Sequence, residues 1–155
     1  MSKSTEYVIV VSGSYKWNFD QQIVFDKLSE IVIPEGFHPK LVCSYCSAGA
    51  ENDAIQFAKI NKWEIVFFNI QSKILHKIEP NIYLLNLKLL LEIEQPHCIL
   101  LFNKQNSPTV NNFDILCVQY CHGNFSRCEQ FKKFICKNNV IISQKQYHPV
   151  ITSSN

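Results

Sequence analysis

Tyr7-Val8-Ile9-Val10-Val11, followed at once by Ser12-Gly13-Ser14, is the stretch that decides the fold. An unbroken run of apolar, mostly β-branched residues with no polar alternation is what a strand needs when both faces of its sheet are covered. The glycine turn then ends it. Downstream, Asn18 to Ile31 carries Phe19, Ile23, Phe25, Leu28 and Ile31 at helical spacing, and Pro34-Glu35-Gly36 stops that element. Lys40 to Cys43 reads as a second strand. After the loop Ser44 to Gly49 comes a helix over Ala50 to Ile60, with Ala54, Phe57 and Ala58 inward, and then a third strand over Glu64 to Ile70. Asn81 to Ile93 has leucines at helical spacing, and His97 to Phe102 is a fourth strand.

Strands alternating with helices over connections of this length imply right-handed βαβ crossovers. The expected class is α/β, Rossmann-like, with a mainly parallel sheet flanked by helices on both faces. The remainder predicts a polar insertion over about 103–113 and an additional strand over Phe113 to Tyr120. A last amphipathic helix over Phe125 to Lys137 is ended by Asn138-Asn139, a closing strand follows over Val140 to Ser143, and the tail from 144 to 155 is loose. At 155 residues the chain is expected to be one domain, with its core over about 7–143.

Composition excludes several function classes. No apolar run approaches the roughly 18 residues that a membrane helix needs, so no membrane partner is expected. Residues 1–7 do not have the pattern of a secretory signal, which predicts a cytoplasmic protein with reduced thiols, and seven cysteines cannot all pair within the chain. A net charge of +2 with no basic stripe argues against nucleic acid as a partner. Fourteen of the fifteen basic residues are lysine, which leaves Arg127 as the only guanidinium for bidentate anion recognition.

Ligands of doubly wound sheets sit beyond the carboxyl ends of the strands, where helix amino termini offer amides to anions. Gly13, Ser14, Gly49 and Ala50 fall at such turns; tight-turn geometry explains the two glycines equally well. Lys16 is either a phosphate counter-charge or a solvated loop lysine, and Trp17 beside the predicted crevice is more simply a core anchor. Gly123, Asn124, Ser126 and Arg127 offer free amides, a hydroxyl and the guanidinium at the start of a predicted helix, against a plain N-cap and a surface arginine. Glu51 and Asp53 are acid, base or ribose-binding candidates that helix-dipole placement also accounts for. Cys43, Cys46, Cys117, Cys121 and His122 have only a loose zinc-like spacing, so no metal is assigned. His38, His76, His97 and His148 are read as structural or exposed.

With the segments in order, the chain resembles the SLOG superfamily of Rossmann-like domains, in particular its branch related to YpsA proteins. Gly13-Ser14-Tyr15-Lys16-Trp17 looks like that family's Gly-Ser-Arg-x-Trp turn. Gly49-Ala50-Glu51-Asn52-Asp53-Ala54 resembles its Gly-Ala-Asp segment, and Asn86 lies where the family has an Arg-Asn pair. Tyr15, Leu85 and Glu51 replace two arginines and the aspartate. Against the related cytokinin-activating phosphoribohydrolases, Cys121 to Glu129 retains Gly123, Ser126 and Glu129 of a glycine-rich phosphate loop. The resemblance implies binding of a nucleotide or nucleotide-derived small molecule, as a sensing or sequestering domain without a further cofactor. A catalytically degenerate module for protein interaction or homodimer formation is the second expectation. N-glycosidic hydrolysis of nucleoside monophosphates, with Glu129 or Glu51 as acid or base and Arg127 on the phosphate, is the third.

Overall fold

The computed structural model describes residues 5–13, 17, 19–44, 49–68, 88, 90–105, 112–123 and 127–147. Six strands form one sheet: β1 (Thr5–Gly13), β2 (Phe37–Ser44), β3 (Glu64–Phe68), β4 (Cys98–Lys104), β5 (Gln130–Lys137) and β6 (Val140–Tyr147). Their order is β3-β2-β1-β4-β5-β6. Every neighbouring pair is parallel except β5 and β6. The helices are α1 (Gln21–Ser29), α2 (Ala50–Ile60) and α3 (Asn112–Cys121), with further helical residues at 88 and 90–94. Among the described residues no helix is long and apolar enough to cross a membrane.

The unbroken apolar run of β1 is explained by what lies on its two sides. Tyr7, Ile9 and Val11 join a cluster with Val24 and Leu28 of α1 and with Ala50, Ala54 and Phe57 of α2. Val8 and Val10 join a second cluster with Leu91, Cys117, Cys121 and Phe131. Successive strand residues point to opposite faces, so a strand buried on both must be apolar at every position. Each of the five is at most 1% exposed, which places the whole run in the core.

The described residues of the amino-terminal two thirds follow the periodicity; 69–87 and 89, with most of the helix expected over Asn81 to Ile93, lie outside them. Helix α2 has its expected bounds; β1 extends two residues beyond its apolar run at each end, β2 three before and one after, and β4 starts one residue later and runs two further, where their neighbours continue the ladder. The carboxyl-terminal third corrects four expectations. The run Phe113 to Tyr120 lies in a helix, α3, and is no additional strand. Asn103 and Lys104, assigned to a polar insertion, extend β4 by pairing with Ile135 and Cys136.

The segment read as a last helix contains β5. Phe131, Phe134 and Ile135 satisfy helical spacing, yet Phe131 packs in one cluster while Phe134 and Cys136 pack in the other, as only a strand allows. Asn138-Asn139 ends no helix. Their φ values of 53° and 62° form the two-residue turn of a hairpin closed by the Lys137–Val140 pair, and asparagine tolerates that left-handed backbone. The closing strand continues to Tyr147, so residues 144–147 are not a loose tail. Residues 148–155 lie outside the described residues.

Candidate functional site

At the carboxyl end of the sheet the strand order reverses between β1 and β4, where Gly13 pairs with Phe102. A Cβ on Gly13 would lie 2.7 Å from the Ala50 Cβ and 3.0 Å from the Phe102 carbonyl oxygen. Glycine is therefore what lets the first residue of α2 rest on the end of β1. Gly49, the N-cap of α2, has φ 97° and ψ −171°, a backbone that L side chains rarely adopt, and it supplies no side-chain acceptor to the first turn. One glycine is required by space and the other by conformation.

Around this junction stand three carboxyl groups. Glu51 is buried at 9% exposure, with an oxygen 3.7 Å from where a Gly13 Cβ would be. Burial pushes the Asp53 carboxyl up to about 6; the Trp17 indole N–H works against this and the Asp20 carboxylate adds to it. Asp20 caps α1 by accepting from the Gln22 N–H at 2.9 Å, and its own N–H donates to Asn139 Oδ1 at 3.0 Å, so the hairpin tip meets the start of α1 here. Trp17 packs edge-on against Phe102 and Phe19. Its Nε1 is buried and near enough to Asp53 to favour the carboxylate, but among the described residues it makes no hydrogen bond of ordinary length. Asn103, oriented by its partners, donates to the Phe102 carbonyl at 3.2 Å and accepts from Lys133 Nζ at 3.3 Å. The chemistry on offer is carboxylate acceptors and a buried indole donor beside a helix start that has no side-chain cap.

Of the expected site residues, Gly13, Trp17, Gly49, Ala50 and Glu51 come together at this end, with Asp53. Ser14, Lys16, Asn86, Asn124 and Ser126 lie outside the described residues. Gly123, Arg127 and Glu129 do not join them. They lie between α3 and β5 at the amino end of the sheet, and the strand from Glu129 to Phe134, the level of Phe102, spans roughly 17 Å. The helix expected from Phe125 does not run through the described residues: 127–129 lead into β5. Arg127 donates through Nε to the Gln95 carbonyl at 2.5 Å and through an Nη to the Glu94 carbonyl at 3.1 Å. A guanidinium on the last carbonyls of a helix is a C-terminal cap. This corrects the reading of Gly123 and Arg127 as part of one crevice with Gly13.

The amino end holds a residue of greater structural weight than its sequence context announces. His97, 6% exposed, accepts from the Val8 N–H through Nδ1 at 3.0 Å, and its backbone N–H donates to the Val8 carbonyl at 2.8 Å. Its carbonyl accepts from the Glu129 N–H at 2.7 Å, and its ring stacks on Tyr7 at 4.8 Å. One residue thus completes three strands. Burial, and then the charge of Arg127, lower its pKa to about 4, keeping the ring neutral with Nδ1 as acceptor. No local motif marks His97, because its partner is 89 residues away.

The loose zinc-like cysteine set is also divided. Cys43 packs with α1 and α2, whereas Cys117 and Cys121 pack in the cluster on the other side of the sheet. Cys46 lies outside the described residues, and among those described no three metal-binding side chains gather. No protein-family model matches the chain, and no curated protein or solved structure matches it either.

Proposed function

We propose that the chain is a Rossmann-like domain, doubly wound with helices on both faces of its sheet, that binds a nucleotide-derived small molecule at the carboxyl end. The observation that carries the reading is the junction at the reversal of strand order, where Gly13 admits the start of α2 against the ends of β1 and β4. Open sheets of this order bind ligands at that point, since the two flanking loops diverge there and leave a crevice. The two packing clusters, one with α1 and α2 and one with Leu91 and α3, support the doubly wound architecture.

The ligand contacts are drawn from Gly13, Trp17, Gly49, Ala50 and Glu51, with Asp53. Carboxylates suit the hydroxyls of a ribose or the amines of a base, and the α2 amides suit an anion. Arg127 plays no part, being at the far end on helix carbonyls. The hydrolase reading loses support as well: the guanidinium meant for the phosphate is on the Glu94 and Gln95 carbonyls, Glu51 is at the opposite end from it, and Glu129 is away from the crevice at Gly13. The test is thermal shift against nucleotides, cyclic oligonucleotides and ADP-ribose derivatives. A ligand at 100 times its Kd stabilises the folded state by about 2.7 kcal/mol. The expected outcome is a shift with at least one member that is lost in Glu51→Gln; no shift with any at millimolar concentration would overturn the reading.

A further inference from the structure

β6 is the last strand of the sheet, and among the described residues no strand pairs with its outer side. A strand so placed turns half of its backbone N–H and C=O groups outward, where another strand can take them up. Its surroundings carry one sign of charge. Over 130–147 the chain has Lys132, Lys133, Lys137 and Lys145 and neither aspartate nor glutamate. The ladder concentrates this charge, because Lys133 and Lys145 are directly opposite each other and so share a face. Alternation along β5 puts Lys137 on that face too, and Lys132 on the other, opposite Gln146. Lys137 and Lys145 are exposed; Lys133 is half-buried, with its Nζ at Asn103. Like charges facing each other across a ladder cost stability, so this pairing asks for an anionic neighbour. Lysine also guards edge strands against unwanted pairing. Three of these four, however, stand on β5, one strand in from the edge, while β6 itself has a single lysine, no proline, and exposed Val140 and Ile142. The register passes over Ile142, between the Ile135–Ser143 and Cys136–Ile141 pairs, and this bulge leaves 143–147 as the regular stretch of the edge.

We propose that β6 receives an extended acidic segment of a partner protein as an added strand, paired along 143–147 with its carboxylates on the face of Lys133 and Lys145. The backbone ladder supplies the affinity and the alternating carboxylates supply the selection. Neighbouring strands lie about 4.8 Å apart, so a carboxylate opposite Lys145 is one strand from it and two from Lys133, within reach of both flexible stems. A second copy of the chain suits this edge poorly, because its β6 would bring another hairpin of the same sign against this one. A single-stranded nucleic acid is the lesser candidate for a different reason. Its bases need aromatic rings to stack on, and the two of β5, Phe131 and Phe134, are buried. The edge is separated from Gly13 by β4 and β5, so it stands apart from the ligand junction.

The test uses the full chain and a fluorescein-labelled peptide of alternating threonine and glutamate, with fluorescence anisotropy for affinity and amide hydrogen exchange for location. The acidic peptide is expected to bind and to protect the amides of 143–147. The same peptide N-methylated at alternate residues keeps its charge but cannot form the ladder, and its affinity is expected to fall by about tenfold or more. A threonine–lysine peptide is expected not to bind, and Lys145→Glu to weaken the acidic peptide by roughly fivefold. The peptide comparisons are made on the wild-type protein and need no variant to fold. Any of four results would overturn the proposal: no binding of the acidic peptide at millimolar concentration, equal binding of its N-methylated form, tighter binding of an oligothymidine, or a dimer in sedimentation whose β6 amides are protected without peptide.

Discussion

At the amino end of the sheet the polar groups are matched: the His97 ring accepts from Val8, its carbonyl serves β5, Arg127 caps the helix that ends at Glu94, and Lys40 Nζ sits 3.0 Å from Glu94 and 3.5 Å from Glu6. The carboxyl end gathers Asp20, Glu51 and Asp53 around two glycines and, among the described residues, leaves the buried Trp17 Nε1 without a hydrogen bond of ordinary length. The first end has the character of a clamp. The second holds one carboxyl group, that of Asp53, in surroundings that favour its neutral form, which stability alone does not ask for. Buried polar atoms lacking partners and carboxyl groups with raised pKa concentrate where proteins meet ligands.

The comparison can be broken at three points, starting with the largest effect. Gly13→Val puts side-chain atoms where Ala50 Cβ and the Phe102 carbonyl already stand, so urea unfolding at pH 7 is expected to show a loss of about 3 kcal/mol or more. A loss below about 1 kcal/mol would mean that α2 slides off the strand end freely. At the other end, His97→Ala leaves the buried Val8 N–H without its acceptor and removes the stack on Tyr7. About 2 kcal/mol is the expected cost in the same assay.

The smallest effect is the one that distinguishes the ends by sign. His97 has a folded pKa of about 4 against an ordinary 6.5, so the unfolded chain holds the proton more tightly. Its contribution to stability is complete above pH 6.5 and is lost as pH falls toward 4. Asp53 runs the other way, because its pKa of about 6 lies above the ordinary 3.8. The folded state holds that proton more tightly, and the stability it provides is lost as pH rises from 4 through 6. Asp53→Asn is therefore expected to stabilise the protein at pH 7 and to steepen the rise of stability between pH 4 and 6.5. Denaturation midpoints across that interval measure it, and a fall in stability at pH 7 would show that Asp53 is held by a favourable partner.

Much of this arrangement was legible in residue patterns, and the parts that were not have physical reasons. The run Tyr7 to Val11 and the bounds of α2 follow from burial on two faces and from helical spacing, both local properties. Phe113 to Tyr120 misleads because a short apolar run suits a buried helix as well as a strand. Gln130 to Lys137 misleads because phenylalanines three apart suit a helix, while the lysines between them hide the two-faced burial. A usable signal was present in Asn138-Asn139, two residues at ease with positive φ between segments of strand length. At the candidate site, Gly13 and Gly49 were visible as turn residues, but Asp20 and Asn139 were not, since 119 residues separate them. Arg127 was misplaced because its partners are backbone carbonyls 32 and 33 positions earlier, which no side-chain pattern reports.

The hydrogen bond from the Asp20 amide to Asn139 also bears on the order in which the molecule is made. Synthesis delivers Asn139 119 residues after Asp20, so a nascent chain has the residues of α1 long before the group that completes its start. The central strand waits too, since β1 lies between β2 and β4 and needs His97 to satisfy Val8. Contacts of such sequence separation slow folding, because a long loop must close before they form. The β5–β6 hairpin thus acts as a completion step: only once Asn139 has been made can the surroundings of Asp20 be finished.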